Sequence, residues 1–337
     1  MRIDVIIESH KTPAEVVRLG KLAEEYGLGG VWIANNANGR DAFVNFAPLA
    51  QQTEKIVIGP IAISPMELHP LKMAISLLTF NELSGGRGQL VVGAGGGTAG
   101  AMGAYTDRPV RAVRECLEIL ELAAKGTSGS YKGELFPVSW LDTSWVTQPP
   151  PMVYAGANGP QMLKSAARHA PGIMMSDFVP ERVKWAHELI DPILQEVGKK
   201  PATYPLNNFW AWHVKDSQEA ATREARIWLC VRGTIYEDYI RDVVDDAEAD
   251  IVLANLNSFK QAFYKKDPHI DGVPDDIIDK IVAHGTSAST LANIDREVER
   301  FREFQRAGLT EIALKVYDEP EKAIETIGKH IVPALTV

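Results

Sequence analysis

Cysteine is nearly absent from this 337-residue chain: only Cys116 and Cys230 occur, each within an apolar helical run. A disulfide framework is thereby excluded, and the two thiols read as buried and inert in a reducing compartment. Positive charge is also in deficit. Lys and Arg number 35 against 44 Asp and Glu, a formal net charge of −9. Sequence-independent grip on nucleic acid needs clustered cations, and anionic membranes attract basic faces, so neither partner is expected. Long apolar runs are missing too. Even 56–66 is broken by Gly59, Pro60, Ser64 and Pro65, far short of the roughly 20 residues that cross a bilayer. The first eight residues begin a strand pattern directly, with no basic leader or cleavage site, so a cytoplasmic location is expected.

What the chain does have is alternation. Short apolar runs at 3–7, 31–34, 56–63, 89–93, 152–155, 172–175, 207–214 and 311–315 read as strands. Helix-length amphipathic segments follow them at 13–26, 43–52, 70–83, 109–124, 161–169, 180–197, 291–306 and 320–330. The first helix carries clear punctuation: Thr12 as N-cap, Pro13 at the first position and Gly27 as stop. About eight βα units predict an α/β fold, a (β/α)8 TIM barrel forming one domain over 1–337. A doubly wound open sheet is the alternative, because periodicity alone does not say whether parallel strands close. Two stretches exceed a minimal barrel: 105–109, and a charged helical insertion at about 216–284, near strand 7, expected to cap the barrel. Its halves meet at a polar turn over 265–274.

In a closed barrel, chemistry sits at the carboxyl ends of the strands. Glu8, Ser9 and His10 follow the first strand, Asn35, Asn36 and Asn38 the second, and Ser64, Glu67 and His69 the third. Taken singly, Asn and Ser here are ordinary turn formers, and His69 before Pro70 reads equally as a helix cap. Strand four ends in Gly93-Ala94-Gly95-Gly96-Gly97, which lets backbone approach a flat ring without a Cβ in the way. No helix is expected to begin at once after it, so it is not a dinucleotide fingerprint. The segment Ala155-Gly156-Ala157-Asn158-Gly159-Pro160-Gln161 leads a buried strand into a helix, where free N–H groups and the helix dipole suit a phosphate. A plain Gly-Pro turn is the competing account. Lys164 and Arg168 lie one and two turns on, either adding charge to that site or facing solvent. Trp140, Trp145, Trp210 and Trp212 read equally as an aromatic pocket or as core.

Several of these segments resemble, in order, one family: the bacterial-luciferase-like flavin and F420-dependent oxidoreductases, particularly the methylenetetrahydromethanopterin-reductase-like branch. The matching words are Val31-Trp32-Ile33, Ile58-Gly59-Pro60, Leu83-Ser84-Gly85-Gly86-Arg87-Gly88, Val92-Gly93-Ala94-Gly95, Tyr154 through Lys164, and His284-Gly285-Thr286. The resemblance implies a barrel that binds F420, with FMN as the alternative, its ring across the strand ends and its phosphate at the 156–161 turn. It also implies a non-proline cis peptide near Ile61-Ala62 behind the ring. Asn35, Ile61, Ala62 and Gly95 are the candidates for the ring; Gly156, Ala157, Asn158, Gly159, Pro160 and Gln161 are those for the phosphate. Glu8, His10, Asn36 and His69 are the catalytic candidates, for hydride transfer to or from a small-molecule substrate.

Two departures stand out. Many F420-dependent relatives carry Asp-His where this chain has Asn35-Asn36, so a proton must come from elsewhere. The sugar-phosphate dehydrogenase branch has a Glu where Gly96 stands, which argues against that substrate. By analogy a homodimer is expected, with a flavin or F420 reductase as partner if one is required. Three rivals remain: an FMN-dependent monooxygenase using dioxygen, a non-catalytic flavin- or F420-binding protein, and a metal hydrolase on Glu8, His10 and His69. The last lacks the His-x-His expected on a first strand, so no metal is assigned.

Overall fold

The computed structural model describes residues 1–335. Its strands are β1 (Arg2–Ile7), β2 (Gly30–Ala34), β3 (Val57–Ile61), β4 (Gln89–Val92), β5 (Ser128–Tyr131), β6 (Val138–Asp142), β7 (Met152–Gly156), β8 (Gly172–Ser176), β9 (Leu206–Ala211) and β10 (Glu311–Lys315). The helices are α1 (Pro13–Glu25), α2 (Ala42–Ala50), α3 (Pro70–Leu83), α4 (Gly97–Ala101), α5 (Pro109–Ala124), α6 (Pro160–His169), α7 (Pro180–Glu196), α8 (Gln218–Trp228), α9 (Glu237–Ile240), α10 (Asp246–Ala254), α11 (Leu256–Lys265), α12 (Asp275–Gly285), α13 (Ile294–Arg306) and α14 (Pro320–Thr326). The reason for α1 is local: Thr12 and Glu15 form a reciprocal capping box, and Gly27 at φ 74° ends the helix.

Eight strands run parallel in the order β3-β2-β1-β10-β9-β8-β7-β4. The ends of that list also meet. Parallel bridges pair Ile58 with Gly88 and Ile63 with Val92, so the sheet closes on itself as the expected (β/α)8 barrel. The seam is tight because Gly59 has no side chain: a Cβ there would lie 1.7 Å from the Gln89 carbonyl oxygen. Just above it the Ile61–Ala62 peptide is cis, where the resemblance puts it.

The lumen is stratified. At the amino ends of the strands Asp4 accepts from Arg2 Nε (2.9 Å) and from Trp32 Nε1 (2.9 Å), and Tyr154 donates to Glu311 (2.7 Å). Burial pushes the Glu311 carboxyl up, against the pull of Arg2. Above this polar plug an apolar layer of Ile6, Trp32, Ile61, Val91, Met174 and Ala313 fills the barrel. Outside, one continuous core joins strands to helices, with Val5, Val31, Leu90, Ile173 and Leu314 pointing away from the axis. Within the barrel, the filled lumen leaves the carboxyl ends of the strands for a site.

Two elements were not expected. The antiparallel hairpin β5–β6 lies between α5 and β7, and the short helix α4 begins at Gly97, the last of the strand-four glycines, contrary to the expectation that no helix would begin there at once. Its five residues tolerate two glycines because a single turn carries little of the backbone-entropy cost of a long helix. Between β9 and α13 the helices α8 to α12 share a separate apolar cluster including Ile235, Val252, Phe259 and Ile278. This segment is tied at its neck, where bridges pair Trp212 with Ser287 and Lys215 with Thr290.

Candidate active site

A cleft of about 1370 Å³ opens at the carboxyl ends of the barrel strands. Its floor is the top of the apolar layer, lined by Ile61, Ala62, Val91 and Met174. One wall is nearly free of side chains. Gly96, Gly97 and Gly159 line it, and a Cβ at any of them would meet nothing within 4 Å. Gly95 is held at φ 106° with Ser64 and Ala99 close by, a conformation that glycine adopts without strain. Such a wall admits a flat ring system and leaves backbone amides facing it.

The anion-binding candidate is built as its sequence suggests. Asn158 Oδ1 accepts from Ser176 N (2.9 Å), and Ala157 N donates to Met174 O (3.0 Å), which fixes the turn to β8. Gly159 is the N-cap of α6 and offers no side-chain acceptor, so the first-turn N–H groups of Gln161 and Met162 have no partner within the helix. Gly156, Ala157, Asn158, Gly159 and Met162 line the cleft; Pro160 and Gln161 open the helix at its edge. Arg168 lies away from it, paired with Glu196 at 2.8 Å.

Polar chemistry collects on the opposite wall. Lys315, the last residue of β10, places Nζ 2.6 Å from Glu8 Oε1. Glu8 Oε2 stands 4.0 Å from Nδ1 of His10 at the exposed rim. Arg232 reaches in from the insertion, donates from Nε to Asp177 Oδ1 (2.8 Å) and lies over the Phe209 ring at 4.3 Å. Asp177 also accepts from Gly233 N (2.8 Å), so this buried pair fixes the insertion to the end of β8. Tyr317 stacks on His213 at 4.9 Å and 8°, and Trp228 leans on Tyr317 at 4.4 Å. His213 is held by Glu224 (2.7 Å), and burial pushes its imidazole below the usual range, keeping it neutral against the pull of that carboxylate.

The chain's match to the family model described as luciferase-like monooxygenase spans residues 1–311. The chain belongs to that family. It is 30% identical over 322 residues to a 5,10-methylenetetrahydromethanopterin reductase of Archaeoglobus fulgidus, a match covering 94% of both chains. Its fold resembles the coenzyme F420 dependent tetrahydromethanopterin reductase of Methanopyrus kandleri, with a TM-score of 0.83 at 22% identity over 98% of each chain. It also resembles an F420-dependent secondary alcohol dehydrogenase in complex with an F420-acetone adduct, with a TM-score of 0.74 at 18% identity over 99% of this chain and 98% of that one.

Within this luciferase-like barrel the sequence-named residues divide. Glu8, His10, Asn35, Asn36, Ile61, Ala62 and Gly95 line the cleft with the 156–159 turn. Asn36 Nδ2 donates to Ser9 Oγ (3.3 Å) and Asn35 N to Ile61 O (2.9 Å), tying β2 to its neighbours. His69 is not among the lining residues. It caps α3, accepting from Leu71 N at 3.2 Å, and meets Phe136 edge-on. Among the described residues no group of three His, Cys, Asp or Glu is arranged to hold a metal. Glu67 stands behind the glycine wall, accepting from Ser64 N (2.5 Å), its carboxyl raised by burial. Of the four tryptophans named from the sequence, Trp210 and Trp212 are buried against Phe304 and Phe301 of α13, while Trp140 and Trp145 are exposed on or near the hairpin. Lys315, Arg232, Tyr317 and Trp228 were not singled out from sequence, because nothing local marks them.

Proposed function

We propose that this chain is an F420-dependent oxidoreductase that moves a hydride between the deazaflavin and a small organic substrate in the cleft. The observation that carries the reading is the cleft itself: a glycine-rich wall, an apolar floor at the cis Ile61–Ala62 peptide, and first-turn amides of α6 without a partner in the helix. Those features fit a flat ring with an anionic tail, and the two solved structures reported above are F420-dependent enzymes by name. F420, when bound, supplies a two-electron hydride donor or acceptor.

The protein's part is to bind, orient and exclude water. Amides of the 156–161 turn would hold the phosphate, with Gly156, Ala157, Asn158, Gly159, Pro160 and Gln161 shaping it. Asn35, Ile61, Ala62 and Gly95 would set the plane of the ring. Trp228 and Phe263 of the insertion close the outer side and lower the local dielectric. Glu8, His10 and Asn36 line the cleft and would supply its polar chemistry; His69 would act only through the start of α3. Analogy with the family favours a homodimer, with a flavin or F420 reductase as partner where one is required, and the cysteine-poor composition favours a reducing, cytoplasmic setting.

Anaerobic oxidation of reduced F420, followed by absorbance with acetone, other carbonyl compounds and methylenetetrahydromethanopterin as acceptors, tests this. The expected result is acceptor-dependent oxidation that dioxygen does not enhance. No oxidation with any acceptor, together with substrate hydroxylation from reduced FMN and dioxygen, would overturn it.

A further inference from the structure

Reducing a carbonyl group, or an aminal carbon with loss of a C–N bond, puts a hydride on carbon and a proton on the oxygen or the departing nitrogen, and neither Asn35 nor Asn36 is an acid that can give it. The titratable groups on the polar wall form a row of rising exposure. Lys315 and Glu8 are almost wholly buried, 2.6 Å apart, with side chains 6% and 12% exposed. His10 follows at 4.0 Å and is 67% exposed, a gap that one water or a small rotation spans. Beyond its ion pair, the buried Lys315 Nζ has no well-formed hydrogen bond among the described residues, and the residue is among those that line the cleft.

Of the other charged groups around Lys315, Arg232 and Asp177 are committed to each other. Arg232 is spent on Asp177 and Tyr317, and guanidinium does not release its proton. The Tyr317 ring lies 5.5 Å from Lys315 Nζ, and burial pushes its hydroxyl far up. Asp177 accepts from Arg232, Gly233 and Ser176.

From this geometry we propose that Lys315 is the catalytic acid–base group of the cleft, with Glu8 its positioning partner and His10 the port through which protons reach solvent. The proposal rests on the oxidoreductase reading above. In the reductive direction the acceptor carbon would gain the hydride that bound reduced deazaflavin supplies, and the C–O π bond, or one C–N bond of an aminal, would break. The heteroatom takes a proton from the Lys315 ammonium, leaving a neutral amine. Water restores that proton by way of His10 and Glu8; oxidation runs the same steps backwards. Burial favours the exchange by pushing the Lys315 ammonium below the ordinary lysine range, opposed by Glu8 and aided by Arg232.

One test needs no substrate. Trace acetic anhydride labelling of the wild-type protein from neutral to alkaline pH, read by peptide mass spectrometry, should give Lys315 half-reactivity at lower pH than the exposed Lys132. Equal or higher half-points overturn the proposal. A second test compares Lys315→Met, Lys315→Arg and the charge-balanced pair Glu8→Gln/Lys315→Met in oxidation of reduced F420 by acetone or methylenetetrahydromethanopterin. All three should lose about 100-fold or more in kcat, while F420 affinity by fluorescence quenching stays within about twofold. Wild-type kcat in Lys315→Arg or in the pair would show that charge alone, or nothing, is required, and would overturn it. A wild-type protein that fails to bind F420 sinks the cofactor reading instead, and the labelling profile then decides for Lys315.

Discussion

Gly159 occupies the N-cap of α6 at φ −80° and ψ 155°, values any residue adopts, and a Cβ there would meet nothing within 4 Å. Gly159→Asp should therefore fold normally, and its carboxylate, capping the helix, should if anything raise Tm slightly. The same carboxylate would sit where the cofactor's phosphate is proposed to rest, and like charges at such a contact cost several kcal/mol. The expectation is a loss of F420 affinity on the order of 100-fold with Tm unchanged or raised; unchanged affinity would remove the phosphate from this turn. The residues legible in the sequence are of this kind, since a Gly-Pro turn between a buried strand and a helix carries its geometry locally. Asp177 and Arg232 lie 55 positions apart and meet only because the insertion folds back over β8. Lys315 ends a strand so short that alternation does not say which way its side chain points. No local pattern marks either.

Among the elements, the unexpected hairpin shows what holds a weak sequence signal in place. Ser128–Tyr131 has half-exposed or exposed residues throughout and a bulge, with little apolar alternation to announce a strand. What organises it is Glu115 on α5, buried, whose carboxylate accepts from the N–H groups of Glu134, Leu135 and Phe136 at 3.1, 2.9 and 3.0 Å. Burial works to raise this carboxyl, but those three bonds and Arg111 win and hold it below the ordinary glutamate range. A depressed folded-state value means that the stabilisation is full above the unfolded pKa, near 4.5, and is lost as pH falls through the depressed one. Hydrogen exchange of the 128–142 amides should thus show protection that drops on acidification. In Glu115→Gln protection should be weaker at neutral pH and its acid dependence largely gone. An identical acid response in that variant would assign the effect to another group. The insertion was easier to place than this hairpin, because its helical periodicity is strong and its length exceeds any ordinary connection. The helix α4 was missed because a Gly-rich stretch argues for loop at the level of propensity.

At the scale of the whole molecule, alternation of apolar runs and amphipathic helices predicted the barrel, but only coordinates show closure. The β3–β4 seam depends on Gly59 and on a cis peptide, features that spacing does not encode and that the family resemblance supplied in part. Closure matters for function because it gathers the ends of eight strands around one cleft, above a lumen sealed by an apolar layer and a polar plug. A cleft with one mouth, a wall of glycine and a helix start at its edge is the physical core of the proposed function. The measurement that tests it most directly is equilibrium titration of the purified protein with F420 and, side by side, with FMN, followed by cofactor fluorescence. The account predicts saturable F420 binding that is tighter than FMN binding and is weakened by Gly159→Asp. No F420 binding, or FMN binding that Gly159→Asp leaves untouched, would contradict it.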